Sequence, residues 1–136
     1  MYFFDVLKFG LIVKLHERKC KSGPWSFVDF FEEKVDNNPD LLQFITVEDE
    51  RMITLGDIEA IANQLGRWGE SLGLKQKESI AIIMLNKPEV VIFWLGMAKI
   101  GVGSALINSN VTGKAFIHSV ETSLKDSTTK VVVIDQ

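Results

Sequence analysis

The chain has 136 residues, of which 46% are apolar and 24% are charged. This composition excludes a disordered chain and suits one modest domain or part of a larger one. Five basic and two acidic side chains give residues 1–21 a charge of +3, so the remaining residues carry −6. Because no basic stripe crosses that acidic part, we expect no nucleic-acid partner.

The first 15 residues are rich in apolar side chains, but Asp5, Lys8 and Lys14 interrupt them. A membrane-spanning helix needs about 20 apolar residues in succession, so none is predicted here. The basic cluster follows the apolar residues, which is the reverse of a secretory signal. Two interpretations remain: a helix on a membrane surface, through residues 1–21, or a helix packed on the protein. We divide the chain into this segment with its linker, residues 1–23, and a domain, residues 24–136.

A helix is predicted to begin after Ser26, which can cap it together with Asp29, while Trp25 and Phe30 can form a hydrophobic staple. It ends at Asn37-Asn38-Pro39, because a residue before proline is pushed out of the helical region.

A strand over residues 41–47, a turn over 48–50 and a short strand at 52–53 follow. Thr54 and Asp57 open the next helix, which Gly73 can close. Its apolar positions recur every three or four residues: Leu55, Ile58, Ile61, Ala62, Leu65, Trp68 and Leu72. We expect Trp68, like Trp25 and Trp94, to lie in the core.

The second half alternates strands with helices. Residues 79–85 form an apolar run typical of a strand buried on both faces, and Asn86 is expected to cap a helix with Pro88 in its first turn. Residues 90–98 are apolar on all sides, which predicts a buried helix that Gly101 ends. A strand at 103–107, a helix at 112–124 and a strand at 130–134 complete an α/β pattern of parallel strands joined by helices.

Several short segments resemble ligand-binding motifs, but each lacks part of the required pattern. Gly101 and Gly103 leave a helix instead of entering one, so they do not form a dinucleotide fingerprint. Gly113-Lys114 lacks the glycine-rich approach of a phosphate loop. His16 and His118 have no partner at ligand spacing, so no metal site is assigned. Cys20 is the only cysteine, which excludes an internal disulfide.

The remaining candidate follows from topology. Ligands of open parallel sheets bind outside the carboxyl ends of the strands. In this sequence those ends carry Asn86, the loop Asn108-Ser109-Asn110 and Asp135. Asparagine is also an ordinary turn residue, so ligand contact and a purely structural role both remain open.

The ordered strings N-K-P-E, F-W-L-G-M-A-K-I-G and L-I-N-S-N, between Asn86 and Asn110, resemble the fatty acid transport proteins, or very long-chain acyl-CoA synthetases. These belong to the adenylate-forming, acyl-activating superfamily, and the likeness extends over residues 25–136. The resemblance implies an α/β fold, here the partial N-terminal domain of an adenylate-forming enzyme, preceded by an apolar, basic N-terminal helix.

The resemblance also implies an activity. The full-length enzyme would use ATP, Mg²⁺ and coenzyme A to convert a long-chain or very long-chain fatty acid into acyl-CoA at the cytoplasmic face of a membrane. The phosphate loop and catalytic lysine of the family have no counterpart in this sequence. No catalytic, cofactor-binding or metal residue is therefore assigned, and these 136 residues alone are expected to be inactive.

Three interpretations follow. In the first, the chain is a truncated part of such an enzyme, an interpretation that its final, uncovered strand favours. In the second, it is a short non-catalytic membrane- or partner-binding protein. In the third, it is part of another acid–CoA ligase.

Overall fold

The structure is a computed structural model that describes residues 26–47 and 49–135. In chain order its elements are α1 (Phe27–Asn37), β1 (Leu42–Ile45), β2 (Met52–Thr54), α2 (Leu55–Ser71), β3 (Ser79–Ile83), α3 (Pro88–Lys99), β4 (Gly103–Leu106), α4 (Gly113–Ser123) and β5 (Val132–Ile134). This confirms the predicted order of elements. The predictions for residues 1–23, His16, Cys20 and Trp25 lie outside the described residues.

A three-stranded parallel sheet in the order β4-β3-β5 forms the centre. Successive side chains of a strand point to opposite faces. Ile80 and Ile82 therefore pack toward α2 and α3, in a cluster that includes Met97, and Ala81 and Ile83 pack toward α4. The predicted α/β fold with parallel strands and covering helices is confirmed, and β3 is buried on both faces.

Strands β1 and β2 form a separate antiparallel hairpin. Ile53 joins it to a core cluster with Ile58 and Ala62 of α2 and with Ile92 and Leu95 of α3. Both predicted capping boxes are present, at the starts of α1 and α2. Ile53 is thus the buried residue that anchors the hairpin to α2 and α3.

Helices α2 and α3 approach each other through small residues. A Cβ atom built on Gly96 would lie 2.8 Å from both the carbonyl oxygen of Ala62 and the Cβ of Leu65. Close backbone approach moves the larger side chains of α2 to the margin, where Ile61 and Trp68 are 43% and 38% exposed. The prediction that Trp68 lies in the core is therefore wrong.

The first turns of α3 depart from prediction in two ways. Lys87, not Asn86, is the N-cap; because Pro88 is the first helical residue, the residue before it must be extended, as an N-cap is. The helix is also not buried all round. Val91 is 41% exposed, and Trp94 is half-buried beside Phe27 of α1.

Two polar connections tie distant parts of the chain. The Lys99 ammonium contacts Glu32 of α1 and lies 2.9 Å from Glu59 Oε1 of α2. Burial lowers the pKa of Lys99, but its hydrogen bonds to Glu32 and Glu59 outweigh burial, and the net pKa is raised. Near the amino end of β3, Glu78 accepts hydrogen bonds from the backbone N–H groups of Lys75 and Thr128.

Candidate functional site

A cleft lies where the carboxyl ends of β3 and β5 face the β1–β2 hairpin. We call it the carboxyl-end cleft; its volume is about 790 Å³. Its walls are three: the hairpin, the segment that leaves β3 and enters α3, and the end of β5. The lining residues are Phe44, Ile45, Thr46, Val47, Asp49, Arg51, Met84, Asn86, Lys87, Pro88, Glu89, Val91, Phe93 and Asp135.

The cleft contains two of the three positions predicted from topology. Asn86 follows β3 and Asp135 follows β5, and both line it. The loop of Asn108, Ser109 and Asn110 after β4 is not part of its lining. There Asn108 Oδ1 accepts a hydrogen bond from the backbone N–H of Asn110 at 2.9 Å, which is a turn role. The structural interpretation therefore holds for Asn108, and ligand contact stays a hypothesis for Asn86 and Asp135.

Ion pairs cross the cleft and join its walls. Arg51 Nη2 of the hairpin lies 2.8 Å from Glu89 Oε1 of α3, and Arg51 Nε lies 3.3 Å from Asp49 Oδ2. Lys87 Nζ lies 2.6 Å from Asp135 Oδ2, which links the start of α3 to the end of β5. One guanidinium is thus shared between two carboxylates, and the five charged groups sum to one negative charge.

These contacts shift the pKa values of the groups in one consistent direction. The hydrogen bond donated by Arg51 holds the pKa of Glu89 below its usual value, and the same bond raises the pKa of Arg51. The hydroxyl of Thr46 lowers the pKa of Asp49. Every charged group of this set for which a shift is resolved is therefore held more firmly in its ionised form. Asp49, Arg51 and Glu89 are thus not held ready to exchange a proton near neutral pH, as a general acid or base would be.

Apolar side chains form much of the rest of the lining. Ile45 and Val47 are 58% and 89% exposed, and Phe44, Met84 and Phe93 are half-buried behind them. A smaller groove of about 440 Å³ shares Arg51, Glu89 and Phe93 with the cleft. The arrangement suits binding of an apolar group with polar margins more than covalent chemistry. Among residues 26–47 and 49–135, no group of His, Cys, Asp and Glu could hold a metal ion.

The other sequence candidates have structural explanations. Gly101 has a φ of +72° after α3, and Gly103 lies so close to β3 that a Cβ would be 2.9 Å from Ser79 Oγ. Gly101 therefore ends the helix and Gly103 allows close packing, as predicted. Lys114 and His118 of α4 are exposed.

Sequence reasoning missed Arg51, which connects the hairpin to α3. Its partner Glu89 is 38 residues away in the sequence, and no local sequence pattern indicates that contact. A weak signal was available at Lys87 and Asp135, since opposite charges follow two strands that topology brings side by side.

In the part of the chain that the structure describes, no helix combines the length and apolar character that a membrane crossing requires.

Known proteins match this chain in sequence and in fold. The family model described as AMP-binding enzyme matches residues 31–136. Long-chain fatty acid transport protein 1 of Bos taurus is 28% identical over 111 residues, covering 82% of this chain and 17% of the bovine protein. Long-chain fatty acid transport protein 2 of Rattus norvegicus is 34% identical over 76 residues, covering 55% of this chain and 12% of the rat protein.

A solved structure agrees with the fold. The N-terminal subdomain of Klebsiella oxytoca NpsA, in complex with 3-hydroxyanthranilyl-AMSN, superposes with a TM-score of 0.67 at 25% identity. The match covers 78% of this chain and 28% of the NpsA chain. The chain thus spans about a sixth or less of the two transport proteins and corresponds to the N-terminal portion of an adenylate-forming fold. Because the family model matches well over half of it, the chain belongs to the family of AMP-binding enzymes.

Proposed function

We propose that this chain is the N-terminal part of an ATP-dependent ligase that joins long-chain or very long-chain fatty acids to coenzyme A, as part of fatty acid uptake. The observation that carries the proposal is the similarity to a long-chain fatty acid transport protein over 111 residues, within a chain of the AMP-binding family. Fold alone does not fix the acid, so the substrate class is inferred from this similarity.

The described residues supply framework, not the catalytic centre. A triphosphate needs free cations or a cluster of free backbone N–H groups. The two cations of the carboxyl-end cleft are paired with three carboxylates, so the cleft does not fit ATP with Mg²⁺. We expect ATP, Mg²⁺ and coenzyme A to bind residues that this stretch lacks. Titration of the 136-residue chain with MgATP should therefore give no saturable heat; micromolar binding would contradict this.

We further propose that residues 1–21 attach the protein to the cytoplasmic face of a membrane, of the endoplasmic reticulum, plasma membrane or peroxisome. Their ten apolar side chains after Met1 and their +3 charge support this, since each basic group near an anionic surface contributes about 1 kcal/mol. Exchanging Lys8, Lys14, Arg18, Lys19 and Lys21 for glutamine should weaken co-sedimentation with vesicles that contain phosphatidylserine. Unchanged co-sedimentation would refute the attachment.

An acyl-CoA formation assay tests the main proposal. It requires a polypeptide extended beyond Gln136 to the length of the relatives, with fatty acids of increasing chain length as substrates and short carboxylic acids as competitors. We expect acyl-CoA only with long chains, with release of AMP and pyrophosphate. Activity confined to short or aromatic acids would contradict the substrate class but not the reaction.

A second candidate function is ligation of an aromatic or other small acid. It is favoured by the NpsA subdomain, whose bound molecule carries a 3-hydroxyanthranilyl group. The same assay separates the two, because an aromatic acid ligase turns over benzoates and not palmitate. The lack of adenylation of any acid would favour the remaining alternative, a non-catalytic membrane- or partner-binding protein.

A further inference from the structure

We propose that the carboxyl-end cleft is a docking site for the apolar, basic residues 1–21 of the same chain when no membrane is available. This interaction is independent of acyl-CoA formation. It is inferred from the lining of the cleft, from its charge and from the point at which the chain enters α1.

The first argument is the exposed apolar surface of the cleft. Ile45, Val47 and Val91 are 58%, 89% and 41% exposed, and they lie on two opposing walls, the hairpin and α3. Burial of such side chains against another apolar surface is favourable. Residues 1–21 carry ten apolar side chains after Met1, which is enough to cover all three.

The second argument is charge. The cleft has three carboxylates and two cations in its lining, so one negative charge is in excess, with Asp49 and Glu89 sharing Arg51. Residues 1–21 carry +3 and the rest of the sequence carries −6. A basic segment is thereby attracted to this acidic body, and complementary charge at the margin of an apolar contact favours correct encounter. A fatty acid anion gains no such attraction, which is why we choose a basic occupant.

The third argument is position. The ring of Phe27, the first residue of α1, lies 5.0 Å from the ring of Trp94. Trp94 and Val91 are three residues apart in α3 and therefore neighbours on one face of the helix. The chain consequently enters α1 about one helical turn from a wall of the cleft. Residues 22–25 reach about 13 Å when extended, which is enough to bring residue 21 to that wall.

Docking gives the segment two alternative apolar environments, the cleft and an anionic bilayer. Membrane attachment then requires release from the cleft.

The test uses Cys20, the only cysteine of the chain, as the attachment site for a nitroxide spin label on the 136-residue chain. Paramagnetic broadening of methyl signals is measured by NMR without lipid. We expect strong broadening at Ile45, Val47 and Val91. Ile117, which is 55% exposed on α4 at the other face of the sheet, should be unaffected. No broadening, or equal broadening at Ile117, would overturn the proposal.

A matched pair of substitutions tests the cleft itself. Val47→Lys and Ile117→Lys make the same change at two exposed sites, so neither should impair folding. Val47→Lys should abolish the broadening at Ile45 and Val91, whereas Ile117→Lys should leave it unchanged. Equal effects of the two variants would overturn the proposal.

Two further measurements identify the occupant. In the first, spin-labelled chains without isotope are mixed with isotope-labelled Cys20→Ser chains, so that broadening can arise only between two chains. Broadening as strong as when label and isotope are on the same chain would assign the cleft to a second copy and overturn the proposal. Phosphatidylserine vesicles should relieve the broadening, and neutral phosphatidylcholine vesicles should not. If phosphatidylserine vesicles leave it unchanged, membrane attachment through residues 1–21 is refuted and docking in the cleft stands.

Discussion

The α2–α3 pair and helix α1 are held to the protein in different ways. Between α2 and α3, Gly66 and Gly96 let the backbones approach, and Ile58, Ala62 and Leu95 are almost completely buried. By contrast, α1 has no buried residue. It is connected to the rest by partly buried apolar side chains, by the contact of Phe27 with Trp94 and by the ion pair of Glu32 with Lys99.

The difference shows that shape complementarity fixes the centre, whereas an ion pair and partly buried apolar side chains hold α1. Substitutions in the centre should therefore act through cavities and overlap, and substitutions at Glu32 of α1 should act through charge.

The largest expected effect is at Leu95, which is 1% exposed in the core cluster shared by α2 and α3. Leu95→Ala should lower the free energy of unfolding by about 2–5 kcal/mol, because a cavity remains. From the sequence, Trp94→Ala in the same helix is predicted to cost about 3–5 kcal/mol. Since Trp94 is half-buried and faces α1, we now expect it to cost less than Leu95→Ala. Urea titration of both variants measures the order, and the reverse order would contradict the contrast.

Next in size is Lys99, whose side chain is 9% exposed between Glu32 of α1 and Glu59 of α2. Lys99→Met leaves Glu59 partly buried without its cation, and should lower the free energy of unfolding by about 2–3 kcal/mol. This loss is smaller than the loss for a fully buried ion pair, because Glu32 is half-exposed. Glu32→Gln is the control and should cost under about 1 kcal/mol. If both variants lose the same free energy of unfolding, the cation contributes no more than a surface ion pair.

A smaller effect is expected at Gly96. Gly96→Ala places a methyl group 2.8 Å from the carbonyl of Ala62, so the helices must separate, at about 1–3 kcal/mol. Gly69→Ala is the matched change in the facing helix. There the new Cβ meets the flexible ends of Ile100 and Met97, which can move. A chemical denaturation that ranks Gly69→Ala as the more costly would show that the helices do not meet as described.

The sequence predicted the elements well where local chemistry decides them. The capping boxes at Ser26 and Thr54 and the positive φ of Gly101 depend on residues within four positions of one another. The parallel sheet followed from alternation of strands with helices, since that topology has few alternatives.

The sequence could not predict contacts that depend on tertiary structure. The exposure of Trp68 and Val91 depends on which helix face meets a neighbour, and the cleft depends on Arg51 of the hairpin reaching Glu89 of α3. The misplaced cap at Asn86 differs in kind, because Pro88 in the first helical position already required Lys87 as the N-cap. That error could have been avoided from the sequence alone.

The smallest predicted effect on stability lies at the amino end of β3, away from the cleft, and is confined to acidic pH. The backbone N–H groups of Lys75 and Thr128 donate to the Glu78 carboxylate and lower its pKa from 4.5 to about 2. The folded protein therefore binds the proton more weakly than the unfolded chain does. The resulting stabilisation is complete above about pH 4.5 and is lost as the pH falls toward 2.

The variant Glu78→Gln isolates this contribution from those of other carboxylates whose pKa values are also lowered, such as Asp57 and Glu89. The difference in unfolding free energy between the parent and Glu78→Gln should be constant from pH 7 to about 5 and then shrink toward pH 2. The Glu78 carboxyl ¹³C shift should titrate near pH 2 in the folded protein. A midpoint near 4.5 would mean that the turn before β3 and the segment before β5 are joined by the hydrogen bonds of Ser127 to Ser79, without help from this charge.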